Sequence, residues 1–234
     1  MSTFLEICQE LREECGITGS TSSSPTTVVS QTGELKRLVR WCKQSYLDIQ
    51  NKSPNWRWLR SSFTVSVTSG DGIYSYGDCT DTGDSAVISR FARWYPHDFK
   101  IYLTSAGSGT EHWLLYQQWD DFRSVYRVGT QNNGYPAWVG IDPTNRIMLG
   151  PVPDATYTLS GEYQKSAQIL AADATEPEMP SRFHRLIVLE AMKKYAAYSA
   201  APEVWAAAVE EARPLWLALQ QDQLPASGYG DPIA

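Results

Sequence analysis

No stretch of the 234 residues approaches the roughly 20 consecutive apolar residues that a bilayer-spanning helix requires, which excludes a spanning helix. Basic runs are missing too. Nothing longer than Lys36-Arg37 or Lys193-Lys194 appears in a chain of net charge −6, whereas a protein that grips nucleic acid normally carries a basic stripe. Cys8, Cys15, Cys42 and Cys79 form no C-x-x-C pair, and no histidine stands near them at a zinc-site spacing. They are expected to be reduced, buried thiols, with Cys8 and Cys15 seven residues apart on one helix face. The opening MSTFLEICQELREEC is acidic where a signal peptide is basic, so the chain is expected to stay in the compartment where it is made.

Motifs of catalysis are equally scarce. His97, His112 and His184 fall in separate segments, none within H-x-x-x-H or H-E-x-x-H, and there is no G-x-S-x-G elbow, Walker loop or G-x-G-x-x-G. The glycine-rich SAGSGT at 105–110 is followed by no helix that could offer its N-terminus to phosphate. The expectation is a protein without enzymatic activity, metal or cofactor.

What is present is the composition of a globular chain, 42% apolar and 20% charged, long enough to bury roughly 70–75% of its unfolded surface. TFLEICQELREECG repeats apolar residues at helical spacing (Phe4, Ile7, Cys8, Leu11, Cys15), and GELKRLVRWCKQSYLDIQNK does the same through Leu35, Leu38, Val39, Cys42, Tyr46 and Ile49. A Ser/Thr-rich loop separates them. From Trp56 the pattern changes to short strands: SFTVSVTSGDGIYSY reads as a hairpin, and FKIYLT, EHWLLYQQW, AWVGI, RIMLG and TYTLSGEYQ follow, with IDPTNRIML turning a second hairpin. WDDFRSVYR interrupts them with helical spacing.

Helix returns at MPSRFHRLIVLEAM and again, after Pro202, at EVWAAAVEEARPLWLALQQ, with a kink expected at Pro214. Phe183, Ile187 and Tyr195 are expected on the packed face. His184 sits in a first turn between Arg182 and Arg185, where the positive helix end disfavours an imidazolium, so it is read as a neutral packing residue. QLPASGYGDPIA should be extended.

These readings give an α+β fold. Helices of 1–55 and 166–220 form a four-helix bundle, 56–165 is an inserted antiparallel β domain, and 221–234 is an extended C-terminal arm. Tryptophan and tyrosine, abundant at nine and 13, gather in the β domain. Trp113, Tyr135 and Trp138 fit either a subunit interface or a sugar-stacking platform, and the interface is preferred because these residues bury large areas at low entropic cost.

The order FLEICQELREECGI, QTGEL-x-R-L-V, PNWRWLR-x-x-F, WDDF-x-x-x-Y, RIMLGPVPDATYTLSGEYQK and MPSRFHRLIVLEAMKKYA resembles the head-to-tail adaptors (connectors, tail accessory factors) of tailed bacteriophages, most of all short-tailed ones. The resemblance runs from Thr3 to about Leu219. It implies a structural virion protein, assembled in the host cytoplasm, that forms a ring of about twelve copies under the portal protein. Such a ring extends the DNA channel without binding DNA specifically and offers a platform to the tail nozzle or tail tube protein. The resemblance also implies that the C-terminal arm docks on the portal or a neighbouring subunit, with Leu224, Pro225, Tyr229, Pro232 and Ile233 as its contact residues. Two alternatives stay open: a carbohydrate-binding module, and a tail-associated cell-wall hydrolase.

Overall fold

The structure is a computed structural model that describes residues 2–16 and 24–225. In chain order it comprises helices α1 (Phe4–Glu14) and α2 (Gly33–Asn51), then strands β1 (Arg60–Val67), β2 (Ile73–Tyr74), β3 (Thr80–Asp81), β4 (Arg93–Leu103), β5 (His112–Trp113) and β6 (Leu115–Tyr116). Helix α3 (Trp119–Tyr126) precedes β7 (Asn133–Gly134), β8 (Trp138–Ile141), β9 (Ile147–Gly150), β10 (Val152–Pro153) and β11 (Tyr157–Gln164). Helices α4 (Arg185–Ser199) and α5 (Pro202–Gln223) close the described chain. It divides into two compact units, one made of Arg60–Ser166 and the other of the segments on either side.

The helical unit starts on a capping box. The Thr3 hydroxyl accepts the Glu6 N–H and the Glu6 carboxylate accepts the Thr3 N–H, satisfying two donors that a helix start leaves open. Phe4, Ile7, Cys8 and Leu11 of α1 meet Leu38, Cys42, Tyr46 and Ile49 of α2 in one apolar core. Helix α4 runs through that core and is buried nearly all round, from Leu186 to Ala196, because α1, α2 and α5 all pack on it. Ala200 ends it in the left-handed conformation, and Pro202 opens α5 where a missing N–H costs nothing. Helix α5 continues through Pro214 and buries only the narrow stripe Ala208, Ala212 and Leu219.

Two sequence boundaries move. The helical unit extends to Leu59, not 55, because the buried Trp56 donates its Nε1–H to the Ile49 and Gln50 carbonyls and stacks on Trp58 at 4.5 Å. The C-terminal arm does not begin at 221, since α5 keeps its backbone bonds to Gln223 and Leu224 packs against the helical core.

In the β unit a five-stranded antiparallel sheet has the order β3-β1-β11-β4-β5, and a four-stranded sheet the order β2-β9-β8-β6. Phe63, Val65, Val67, Trp94, Phe99, Ile101, Leu159 and Tyr163 form the centre of its core. The expected hairpin over SFTVSVTSGDGIYSY is not formed. Strand β1 pairs with β11 over its whole length, from Arg60↔Gln164 to Val67↔Tyr157, and the Gly-Asp-Gly turn hands the chain to the other sheet, where β2 pairs with β9. The domain is also not purely antiparallel, because β6 pairs with β8, and β10 with β7, in parallel. The second expected hairpin is present as β8–β9, closed by Asp142, whose carboxylate accepts from Thr144 and Arg146.

Candidate functional site

Among the described residues, the histidines, the cysteines and several charged side chains take part in packing and hydrogen bonding. Buried at 3% exposure, His184 accepts the Ser2 N–H at Nδ1 (3.3 Å), and its Nε2 lies 2.9 Å from the Met179 carbonyl oxygen, within hydrogen-bond distance. It ties the chain start to the segment leading into α4. Phe183 and Ile187 lie in the same core, and Tyr195 packs at its edge against Trp41. His97 rests edge-on against Tyr116, and His112 bonds the Pro136 carbonyl and the Tyr135 hydroxyl.

The four cysteines are free and buried. Burial pushes the Cys15 and Cys79 thiols up to about 12 and the Cys42 thiol well above its ordinary value, so the nucleophilic thiolate is suppressed. Among the described residues no group of three or more His, Cys, Asp or Glu side chains is placed to hold a metal ion. No described helix is long and apolar enough to cross a membrane.

Charged residues act as clasps. Arg185 bonds Glu10 (2.6 Å) and Glu14 (2.7 Å) of α1 and Glu211 (2.9 Å) of α5, joining three helices through one guanidinium. In the β unit, buried Asp81 accepts from the Tyr163 hydroxyl (2.5 Å), the Ser61 hydroxyl (2.9 Å) and the Gly83 N–H (2.7 Å). Burial alone would raise its pKa, but these bonds outweigh it and hold the carboxyl below the ordinary range. Apart from the Asp81–Gly83 bond, both clasps join residues 20 or more apart in sequence, so no local motif announces them.

The described residues also expose apolar surface. On α5, Trp205 (46% exposed), Val209 and Leu217 (57%) face outward, with Tyr198 of α4 exposed nearby in sequence. In the β unit Trp113 (57%), Leu115 and Tyr135 (48%) are exposed. The structure divides the three aromatics named from sequence. Tyr135 stacks on His112 at 4.5 Å and Trp138 stands beside Leu115 in the β6–β8 pairing, whereas Trp113, one residue on from His112, turns to the opposite face beneath Lys100. Of the arm residues, Leu224 and Pro225 are described, while Tyr229, Pro232 and Ile233 lie outside the described residues.

The family model described as SU10 adaptor protein matches residues 2–229. The chain belongs to the SU10 adaptor protein family. This agrees with the resemblance to phage head-to-tail adaptors carried by the motif order, and it makes the chain a phage structural adaptor by family. No match was found among curated proteins. The SU10 adaptor assignment covers both units, so the β unit is part of the adaptor architecture.

Proposed function

We propose that this adaptor is a virion protein of the head-to-tail junction, in which about twelve copies form a closed ring docked under the portal. The observation that carries this reading is the family match over residues 2–229. In the proposal α1, α2, α4 and α5 act as a four-helix bundle facing the portal, and residues after Leu224 act as the docking arm. The β unit points tailward, offering Tyr135 and Trp138 to a tail nozzle or tail tube protein.

Supporting physics is of two kinds. Closing a ring requires two different faces on each copy, and the exposed apolar residues of α5 and of the β unit supply chemically suitable surface. A net charge of −6 suits a channel through which DNA slides, because phosphates are repelled rather than held. The helical unit and the absence of catalytic motifs in the sequence fit a structural part assembled in the host cytoplasm, as in a short-tailed phage.

Co-sedimentation with the cognate portal ring tests the arm. The full chain should pellet with the portal, and a chain ending at Pro225 should stay in solution while keeping its circular dichroism spectrum. Equal pelleting of both would remove the arm from the proposal.

A further inference from the structure

The outer face of the five-stranded sheet carries a polar trough of about 270 Å³ lined by Arg60, Asp98, Lys100, Trp113, Ser160 and Glu162, among others. Its shape follows from the strand register. One row across the sheet reads Thr80, Thr64, Ser160, Lys100, Trp113, so short hydroxyl side chains form the floor and long ones the rim. The next row places Ser62 beside Glu162 and Tyr95. Between the rows β4 bulges: Tyr95 opposes Glu162 and Lys100 opposes Ser160, so Pro96 to Phe99 stand against the single Gly161. Gly161 permits this, since a Cβ there would lie 2.4 Å from the Phe99 ring. The bulge buries Phe99 and turns Asp98 outward, within 2.7 Å of Arg60.

The lining has no net charge, with Arg60 and Lys100 balancing Asp98 and Glu162. Arg60 bonds both Asp98 and Glu162, and Lys100 pairs with Glu111 at 3.5 Å. An ionic ligand would have to displace one of these partners. A neutral polyhydroxylated ligand need not, because guanidinium offers five N–H donors and each carboxylate about four acceptor sites, more than the ion pairs use. Trp113, at the sheet edge and 57% exposed, carries the Lys100 ammonium 4.5 Å over its ring and, with the buried Phe63, is one of two aromatic residues in an otherwise polar lining. A pyranose has the matching chemistry: a C–H face that packs on an aromatic ring, edged by hydroxyls that both donate and accept. A protein partner would favour an apolar centre with a polar rim, the reverse of this arrangement.

We propose that this trough is a binding site for a neutral saccharide, with Trp113 as the stacking platform and Arg60, Asp98, Glu162 and Ser160 as hydrogen-bonding groups. The site lies wholly within the β unit and does not depend on the adaptor reading.

Isothermal titration calorimetry of the full chain tests it with three neutral tetrasaccharides, β-1,4-linked glucose, α-1,4-linked glucose and β-1,4-linked N-acetylglucosamine, and with inorganic phosphate as the anionic probe. The expected result is saturable binding of at least one neutral probe, weakened about tenfold in Trp113→Ala. Ser160→Val, which fills the floor with a residue suited to a strand, should abolish it while leaving the thermal midpoint unchanged. No saturable heat with any neutral probe at ~10 mM, affinity unchanged in both folded variants, or binding of phosphate alone would each overturn the proposal.

Discussion

The ring of Phe122 lies against the backbone of Gly140, where an added Cβ would come within 2.7 Å of it. The same ring and that of Tyr126 cover Gly150, so α3 sits on β8 and β9 at a distance that only glycine allows. Gly140→Ala should therefore destabilise the β unit by about 1–3 kcal/mol, through displacement of Phe122 from a close-packed site. Gly109→Ala, with nothing within 4 Å of its added carbon, should be nearly neutral. Urea denaturation of the two variants checks the contrast; equal midpoints would mean that α3 is not seated as described.

Arg185 holds Glu10, Glu14 and Glu211 together, and its own pKa is pushed further up, first by the bond to Glu211. Arg185→Met keeps the stem but leaves three carboxylates facing one another. A loss of about 1 kcal/mol is expected, since the group is partly solvated and screened. The loss should shrink in 1 M salt as the carboxylate repulsion is damped. A loss independent of salt would assign Arg185 a packing role only.

Asp81 has a folded pKa below its unfolded value, so its contribution to stability is complete above about pH 4 and is lost as the pH falls through the folded value. Asp81→Asn should be less stable than the natural chain at pH 7 by about 1–3 kcal/mol, because Ser61, Gly83 and Tyr163 lose a charged acceptor. The gap should narrow as the pH falls below about 4. Denaturant midpoints from pH 7 to pH 3 read this directly, and a constant gap would contradict it.

The thiols give a simple test of both cores, Cys8, Cys15 and Cys42 in the helical unit and Cys79 in the β unit. With all four cysteines buried, Cys15 and Cys79 pushed up to about 12 and Cys42 well above its ordinary value, a chromogenic disulfide reagent at neutral pH should label none of the four natively and all four in denaturant. Rapid native labelling of any one would show that its surroundings open.

Sequence periodicity reads the helices well because each carries an apolar stripe at fixed spacing; Phe4, Ile7, Cys8 and Leu11 of α1 are all buried. It misreads β1 and β2, whose pairing with β11 and β9 is decided by chain segments some 75–100 residues away rather than by the Gly-Asp-Gly turn between them. His184 stands among apolar neighbours in the sequence, whereas its bonds to Ser2 and Met179 have no local signal there. Trp113 stood out by type alone. The trough around it depends on Gly161 opposing a bulge, and the Arg60, Asp98 and Glu162 cluster leaves no local spacing in the sequence to find.

Native mass spectrometry of the purified chain, alone and mixed with its cognate portal ring, tests the adaptor account most directly. About twelve copies should add to each portal ring as one closed set. A chain that leaves the mass of the portal ring unchanged would contradict it.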